Sequence, residues 1–254
     1  MSTDRERWLA AASPVLLLGV WEVLSRSGVL DSRYVPPPSA VLATLGALIR
    51  SGELPAHLAI SVRRILVGFF LGAAPAVALG LAMGLNRTVR ALFLPLVTAI
   101  YPIPKIAIYP LIIFYLGVGE ASKVSIVAVS IFFLVLLNTM AGVIALDRVY
   151  FNIARAYGAG GRTIFRTVAW PGALPAVFTG LKLGMGFALI VIVGAELLGS
   201  DAGIGFLIWQ SFQIFDVEKM FAGLLTTAAL GWGATLALDA IERRALPWRP
   251  WTQL

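Results

Sequence analysis

Long apolar runs separated by short clusters of arginine, glycine and proline set the pattern of this chain. Residues 65–85, 124–146 and 220–238 carry no charged side chain. Each is close to the roughly 20 residues that a helix needs to cross the hydrocarbon of a bilayer. The run 91–116 holds one charge, Lys105, and four prolines, Pro95, Pro102, Pro104 and Pro110. Proline lacks the backbone donor and clashes with the preceding turn, so this run is expected to cross as a bent or broken helix. Residues 173–198 form a fifth run, with Lys182 inside it and Glu196 near its end. A sixth, 9–24, follows Arg5 and Arg7 and contains Pro14 and Glu22. Taken alone it has the look of a signal peptide, but no small-residue cleavage site follows, so it reads as an uncleaved first span. The pattern predicts an all-α polytopic membrane protein with six transmembrane helices.

Shorter elements lie between the runs. Pro36, Pro37, Pro38 and Ser39 make a turn, after which Val41, Leu42, Leu45, Leu48 and Ile49 recur at helical spacing. This predicts a helix from near Ser39 that lies at the outer interface and does not cross. A second short outer helix is expected within 199–217, which holds Gly203, Gly205, Trp209 and Phe212. The expected organisation is a first span with its interfacial helix in 1–56, a transmembrane domain in 57–241 and a basic tail in 242–254.

Composition agrees with a membrane as solvent. Hydrophobic residues make up 59% and charged residues 13% of the 254, against about 25% charged in ordinary soluble domains. Cysteine is absent, which excludes disulfides and thiolate metal sites. The single histidine, His57, excludes a histidine cluster and reads as a surface or interfacial residue. The net charge of +7 sits in the loops. With the N-terminus inside, the inner segments carry Arg5, Arg7, Arg87, Arg90, Arg148, Arg155, Arg162, Arg166, Arg243, Arg244 and Arg249, eleven of the twenty basic residues. That bias predicts both termini in the cytoplasm.

Glycines recur four apart within the runs: Gly68 and Gly72, Gly80 and Gly84, Gly180 and Gly184. Such spacing lets helix backbones approach closely in lipid. Packing within one subunit and contact between two copies both fit it.

The inner loop 147–172 has structure of its own. Tyr150, Ile153, Ala154 and Tyr157 fall on one helical face, with Arg148, Asn152 and Arg155 elsewhere. Gly158, Gly160 and Gly161 then break the helix. A second short helix is expected over 163–168, ended by Pro171, because a residue before proline is pushed out of the helical region. Periodicity alone fits either a basic amphipathic loop resting on anionic lipid or a docking element for a soluble partner.

Finer spacing bears on that choice. Ala154 is followed four residues on by Gly158, and then by Val168, Ala169, Trp170 and Pro171. This resembles the Glu-Ala-Ala…Gly…Ile-x-Leu-Pro loop of ABC importer permeases. Asn152 stands at the Glu, Ile153 and Ala154 at the alanines, Gly158 at the glycine, and Val168, Trp170 and Pro171 at the final residues. His57 to Arg64 leading into Gly68 is similar to the entry of this permease domain, and Pro102 to Pro110, Phe114 to Gly119, Asn138 to Gly142 and Glu196 to Leu207 are similar to the nitrate/sulfonate/taurine branch. The likeness runs over about residues 14–240.

The resemblance implies a type I ABC importer permease fold, in which two copies pair, here as a homodimer. Each copy rests on one ATPase subunit, which holds ATP and magnesium; this chain would carry no cofactor. A periplasmic or lipid-anchored binding protein would deliver the solute. The ATPase-coupling residues would be Ala154, Arg155, Ala156, Tyr157, Gly158, Ala159, Gly160, Val168 and Pro171. The chain has no G-x-x-x-x-G-K-[ST] sequence, so this reading requires ATP chemistry from a partner chain. A transmembrane coupling subunit of a vitamin-type importer is the rival nearest in mechanism; an intramembrane enzyme would need a base beside Ser200 and Asp201.

Ionisable residues inside spans face an interior or a cavity. Lys105, Lys182 and Glu196, with Pro102 and Pro104, are therefore expected along the translocation pathway. The two lysines would make it electropositive, suiting sulfonates or nitrate. The alternatives are that Lys182 snorkels to the inner interface and Glu196 sits among outer headgroups.

Overall fold

The computed structural model describes residues 4–248, with side chains from Ala12 onward, and over these residues the protein is helical without a strand. In chain order the helices are α1 (Asp4–Arg26), α2 (Pro38–Arg50), α3 (Glu53–Leu85), α4 (Arg87–Ile100), α5 (Lys105–Leu116), α6 (Glu120–Ile144), α7 (Arg148–Ala156), α8 (Gly161–Ile164), α9 (Trp170–Gly199), α10 (Ile204–Gln213) and α11 (Val217–Ala245). A π-helical turn, Phe165–Ala169, joins α8 to α9.

Four of these are long and apolar enough to cross a membrane: α3, α6, α9 with its N-terminal extension from Gly161, and α11. A fifth is obtained if α4 and α5 count as one span bent by 97°. The bend falls at Pro102 and Pro104, where the prolines of the run predicted a break. Helix α1 stands outside this count, and the side chains of its first half lie outside the described residues.

Helix α6 is the centre of the bundle, sandwiched between α3 and α9 around a buried core that includes Ile65, Phe69, Val127, Ile131, Leu136, Ala188 and Ile192. The glycine pairs decide how close these helices come. A Cβ at Gly68 would lie 2.6 Å from Val127, at Gly80 2.8 Å from the Leu136 carbonyl, and at Gly84 2.5 Å from Val143. At Gly72 it would meet the Ala128 backbone itself. Gly180 and Gly184 press on the other side of α6, at Asn138 and Ile131. All six glycines therefore serve packing within the subunit, the first of the two readings that their spacing allowed. Replacing Gly72 with leucine would force α3 and α6 apart, at about 1–3 kcal/mol or more. The expected observation is a lower unfolding temperature in detergent. Gly233→Ala, where a Cβ meets nothing within 4 Å, is expected to stay within about 0.5 kcal/mol.

Helix α2 begins at Pro38, one residue before the predicted start, and buries Val41 and Leu48 against Leu54, Leu207 and Ala222. The expected short helix in 199–217 is α10. Helix α3 runs three turns further toward its N-terminus than the apolar run it contains, starting after Gly52 at φ 81°.

One expectation is overturned. Pro171 does not end a helix; it lies in the first turn of α9, and the chain is helical without interruption from Gly161 to Gly199. The π turn is the reason. Its wider spiral, closed by Trp170 N–H donating to the Phe165 carbonyl, moves the preceding turn away from the proline ring, which removes the clash that ordinarily stops a helix.

Candidate functional site

The loop between α6 and α9 forms a compact elbow. Asp147 caps α7, accepting from the Val149 N–H at 2.9 Å. At the other end the Ala159 N–H donates to Ala154 O at 2.9 Å, and Gly158 adopts φ 74°, a left-handed conformation that glycine reaches at least cost. The chain then restarts as a helix at Gly161. Val149, Tyr150, Ile153 and Tyr157 are exposed along one face of α7, Tyr157 to 88%. Ala154 is half-buried, and Arg155, Ala156 and Gly160 are exposed on the elbow. Val168 and Pro171 are set apart from these, within the helix that rises from the loop.

Pro102, Pro104 and Lys105 do come together, at the break between α4 and α5. The Lys105 Nζ donates to the carbonyls of Tyr101 and Ile103 at 2.8 Å and of Ile100 at 3.2 Å. It also lies 4.7 Å from the centroid of the Phe133 ring. Helix α4 ends at Ile100 with its last carbonyls short of intrahelical donors, and the lysine supplies a donor there and to two carbonyls of the linker that follows. Beside it is a hollow of about 300 Å³ that Ser130, Leu134 and Phe187 also line. Lys105→Met keeps the stem but removes three donors. The expected loss is about 1–3 kcal/mol from the stranded carbonyls, seen as a lower unfolding temperature.

Glu196 lies neither among headgroups nor along an open path. It is fully buried, and its carboxylate accepts from Arg64 Nη1 at 2.8 Å, from the Ser61 hydroxyl at 2.8 Å and from the Gly205 N–H at 2.9 Å. Arg64 is itself buried and also donates to Ala202 O at 2.6 Å and to Glu120 at 2.5 Å. This cluster fastens α3 to α6, α9 and the start of α10. Gly203, at φ 120°, and Gly205 leave no room for a Cβ over the carboxylate. His57 belongs to the same end, half-buried, its Nδ1 accepting from the Gly203 N–H at 3.0 Å.

Lys182 also departs from expectation. It is ion-paired with Asp239 and with Glu242 on α11, the second at 2.5 Å. Two carboxylates more than neutralise one ammonium, so Lys182 lends no positive potential to a pathway. The sequence shows ionisable residues in apolar runs, but their partners lie up to 135 positions away. The one available signal was arithmetic: Arg64 and Glu196 sit at the ends of two runs that cross in opposite directions, which places both at the same end of the bundle.

A chain that is helical over its described residues, with four helices long and apolar enough to cross a membrane, a proline-broken pair and a structured elbow between two of them, is a multi-pass membrane protein. Residues 74–247 match the family described as binding-protein-dependent transport system inner membrane component. The taurine transport system permease protein TauC of Escherichia coli (strain K12) is 31% identical over 96% of this chain and 91% of its own length. A Bacillus subtilis (strain 168) protein provisionally named aliphatic sulfonates transport permease SsuC is 33% identical over 93% and 86%. The formylaminopyrimidine transport permease protein ThiX of Halalkalibacterium halodurans is 30% identical over 92% and 93%. The chain belongs to this family of ABC transporter permeases, in the sulfonate/taurine branch.

Proposed function

We propose that the chain is the membrane-crossing half of an ATP-driven importer for a small sulfonate-type solute, working as a homodimer. The single observation that carries this reading is the elbow: an exposed apolar face on α7, stiffened by a cap and turned by Gly158 into the helix that runs without a break from Gly161 to Gly199. Such a face fits a groove on a soluble partner. The partner would be an ATPase subunit holding ATP and magnesium, with a periplasmic or lipid-anchored binding protein at the opposite end. Helix α1, exposing Val15, Leu16, Leu17 and Val23, would be the sixth span, with both termini in the cytoplasm. Names of relatives support the solute class. Lys105 and Lys182, both held by their own neighbours, do not supply the selection for charge; the binding protein would.

Because the chain has no cysteine, Ala156→Cys provides a unique crosslinking site. In inside-out vesicles it is expected to capture the ATPase subunit and, unoccupied, to react with membrane-impermeant maleimide. A crosslink to nothing but lipid, or labelling only from the outer side, would remove the assignment. Uptake of labelled taurine by the complete transporter, competed by an aliphatic sulfonate, is the corresponding test of the solute.

A further inference from the structure

We infer that the inner face of the elbow is a binding site for the headgroup of an anionic phospholipid. Helix α7 has two working faces. The apolar one points away from the bundle; the other, with Arg148 and Arg155, turns toward the start of α4, where Arg87 and Arg90 stand. Between them lies a groove of about 690 Å³. Its lining contains these four arginines and no carboxylate, and none of the four has an ion-pair partner among the described residues.

Elsewhere two charged groups within the bundle meet opposite charges, Arg64 with Glu196 and Lys182 with Asp239 and Glu242. Four unpaired guanidinium groups around one hollow repel one another, and an anion that enters relieves the repulsion. Guanidinium forks suit phosphate oxygens. The floor identifies the source of the phosphate. It is apolar and includes Leu85 and Ile144, the last residues of α3 and α6, both about half exposed. A cationic rim over an apolar floor, at the level where two crossing helices end, matches a phosphodiester headgroup with its acyl chains beside it. A free phosphate would gain nothing from that floor.

The site rests on the proposed placement of the elbow at the inner leaflet, and its test is independent of sidedness. The permease, purified with its ATPase, is stripped of lipid and titrated with phosphatidylglycerol or phosphatidylcholine, with bound lipid counted by native mass spectrometry. The unaltered complex is expected to retain phosphatidylglycerol over phosphatidylcholine. Arg87→Gln with Arg148→Gln is expected to weaken phosphatidylglycerol binding roughly 30-fold, about 1 kcal/mol for each arginine removed. Arg33→Gln with Arg50→Gln removes the same charge elsewhere and is expected to change nothing. If the double variant is not recovered folded, Arg87→Gln alone is expected to lose roughly fivefold. Equal binding of the two lipids, an unchanged affinity in the groove variant, or displacement by inorganic phosphate would each overturn the inference. So would loss of the ATPase with phosphatidylglycerol still bound, which would assign the arginines to the partner's acidic surface. A wrong sidedness of the elbow would appear in the Ala156→Cys labelling and leave the titration unaffected.

Discussion

Replacing Arg64 with methionine is expected to destabilise the protein by about 3–5 kcal/mol, the largest loss from any single change considered. The substitution keeps most of the buried stem and removes the charge. Glu196, fully buried, is then left with only the Ser61 hydroxyl and the Gly205 N–H as partners. An ionised carboxylate without its counter-charge in that position is costly, and most of the loss is the cost of leaving it there. Glu120 also loses its strongest partner, although Arg63 still reaches it at 2.7 Å. Thermal unfolding in detergent should show the drop, together with loosening where α10 begins. The discriminating variant is Arg64→Met with Glu196→Gln. Glutamine accepts from Ser61 and Gly205 as the carboxylate does but carries no charge. The double variant should recover part of the stability, with a coupling of about 0.5–3 kcal/mol between the two sites. Additive losses would mean that the pair does not act as a pair.

Substituting Ile153 with aspartate, or truncating Tyr157 to alanine, should detach the proposed ATPase partner while leaving the bundle folded. Both side chains are exposed, so neither change opens a cavity, and stability should move by no more than about 0.5 kcal/mol. At an interface the effect is different. A buried aromatic anchor is commonly worth about 2 kcal/mol or more, so association should weaken roughly 30-fold or more. Solute uptake should fall with it. Retention of the ATPase in equal amount by Ile153→Asp would show that this face of α7 is not the docking face. Gly158→Val is a stricter companion, because it forces a β-branched residue to φ 74°; it should bend the elbow and reduce coupling without touching the contact residues.

Much of the architecture was legible because lipid imposes simple rules. A charge-free run of sufficient length has few alternatives to a crossing helix, so α3, α6 and α11 could be read directly. Pro102 and Pro104 marked the break in the next. Glycines four apart announced close approach, although nothing in the sequence said that α6 would be the partner on both sides. The failures share a cause. Pro171 was read by a local rule, and the π turn that cancels the rule has no residue signature in Phe165–Ala169. Glu196 and Lys182 were recognised as costly, but what lowers the cost is a distant partner, and one sequence does not show which runs lie side by side. Lys105 stands beside the break that Pro102 and Pro104 mark in the sequence; that its ammonium faces carbonyls depends on how sharply α4 ends.

The uninterrupted helix from Gly161 to Gly199 has 39 residues, about 58 Å at 1.5 Å each. It is therefore a lever, nearly twice as long as the hydrocarbon is thick. Its lower tip is the elbow and its upper end is clasped through Glu196. Tilting the tip by about 5° about that clasp would swing it through about 5 Å. Elbow and clasp are thus joined by one continuous rod, whose hydrogen-bond ladder is loosened at the widened turn near its lower end and again at Pro175.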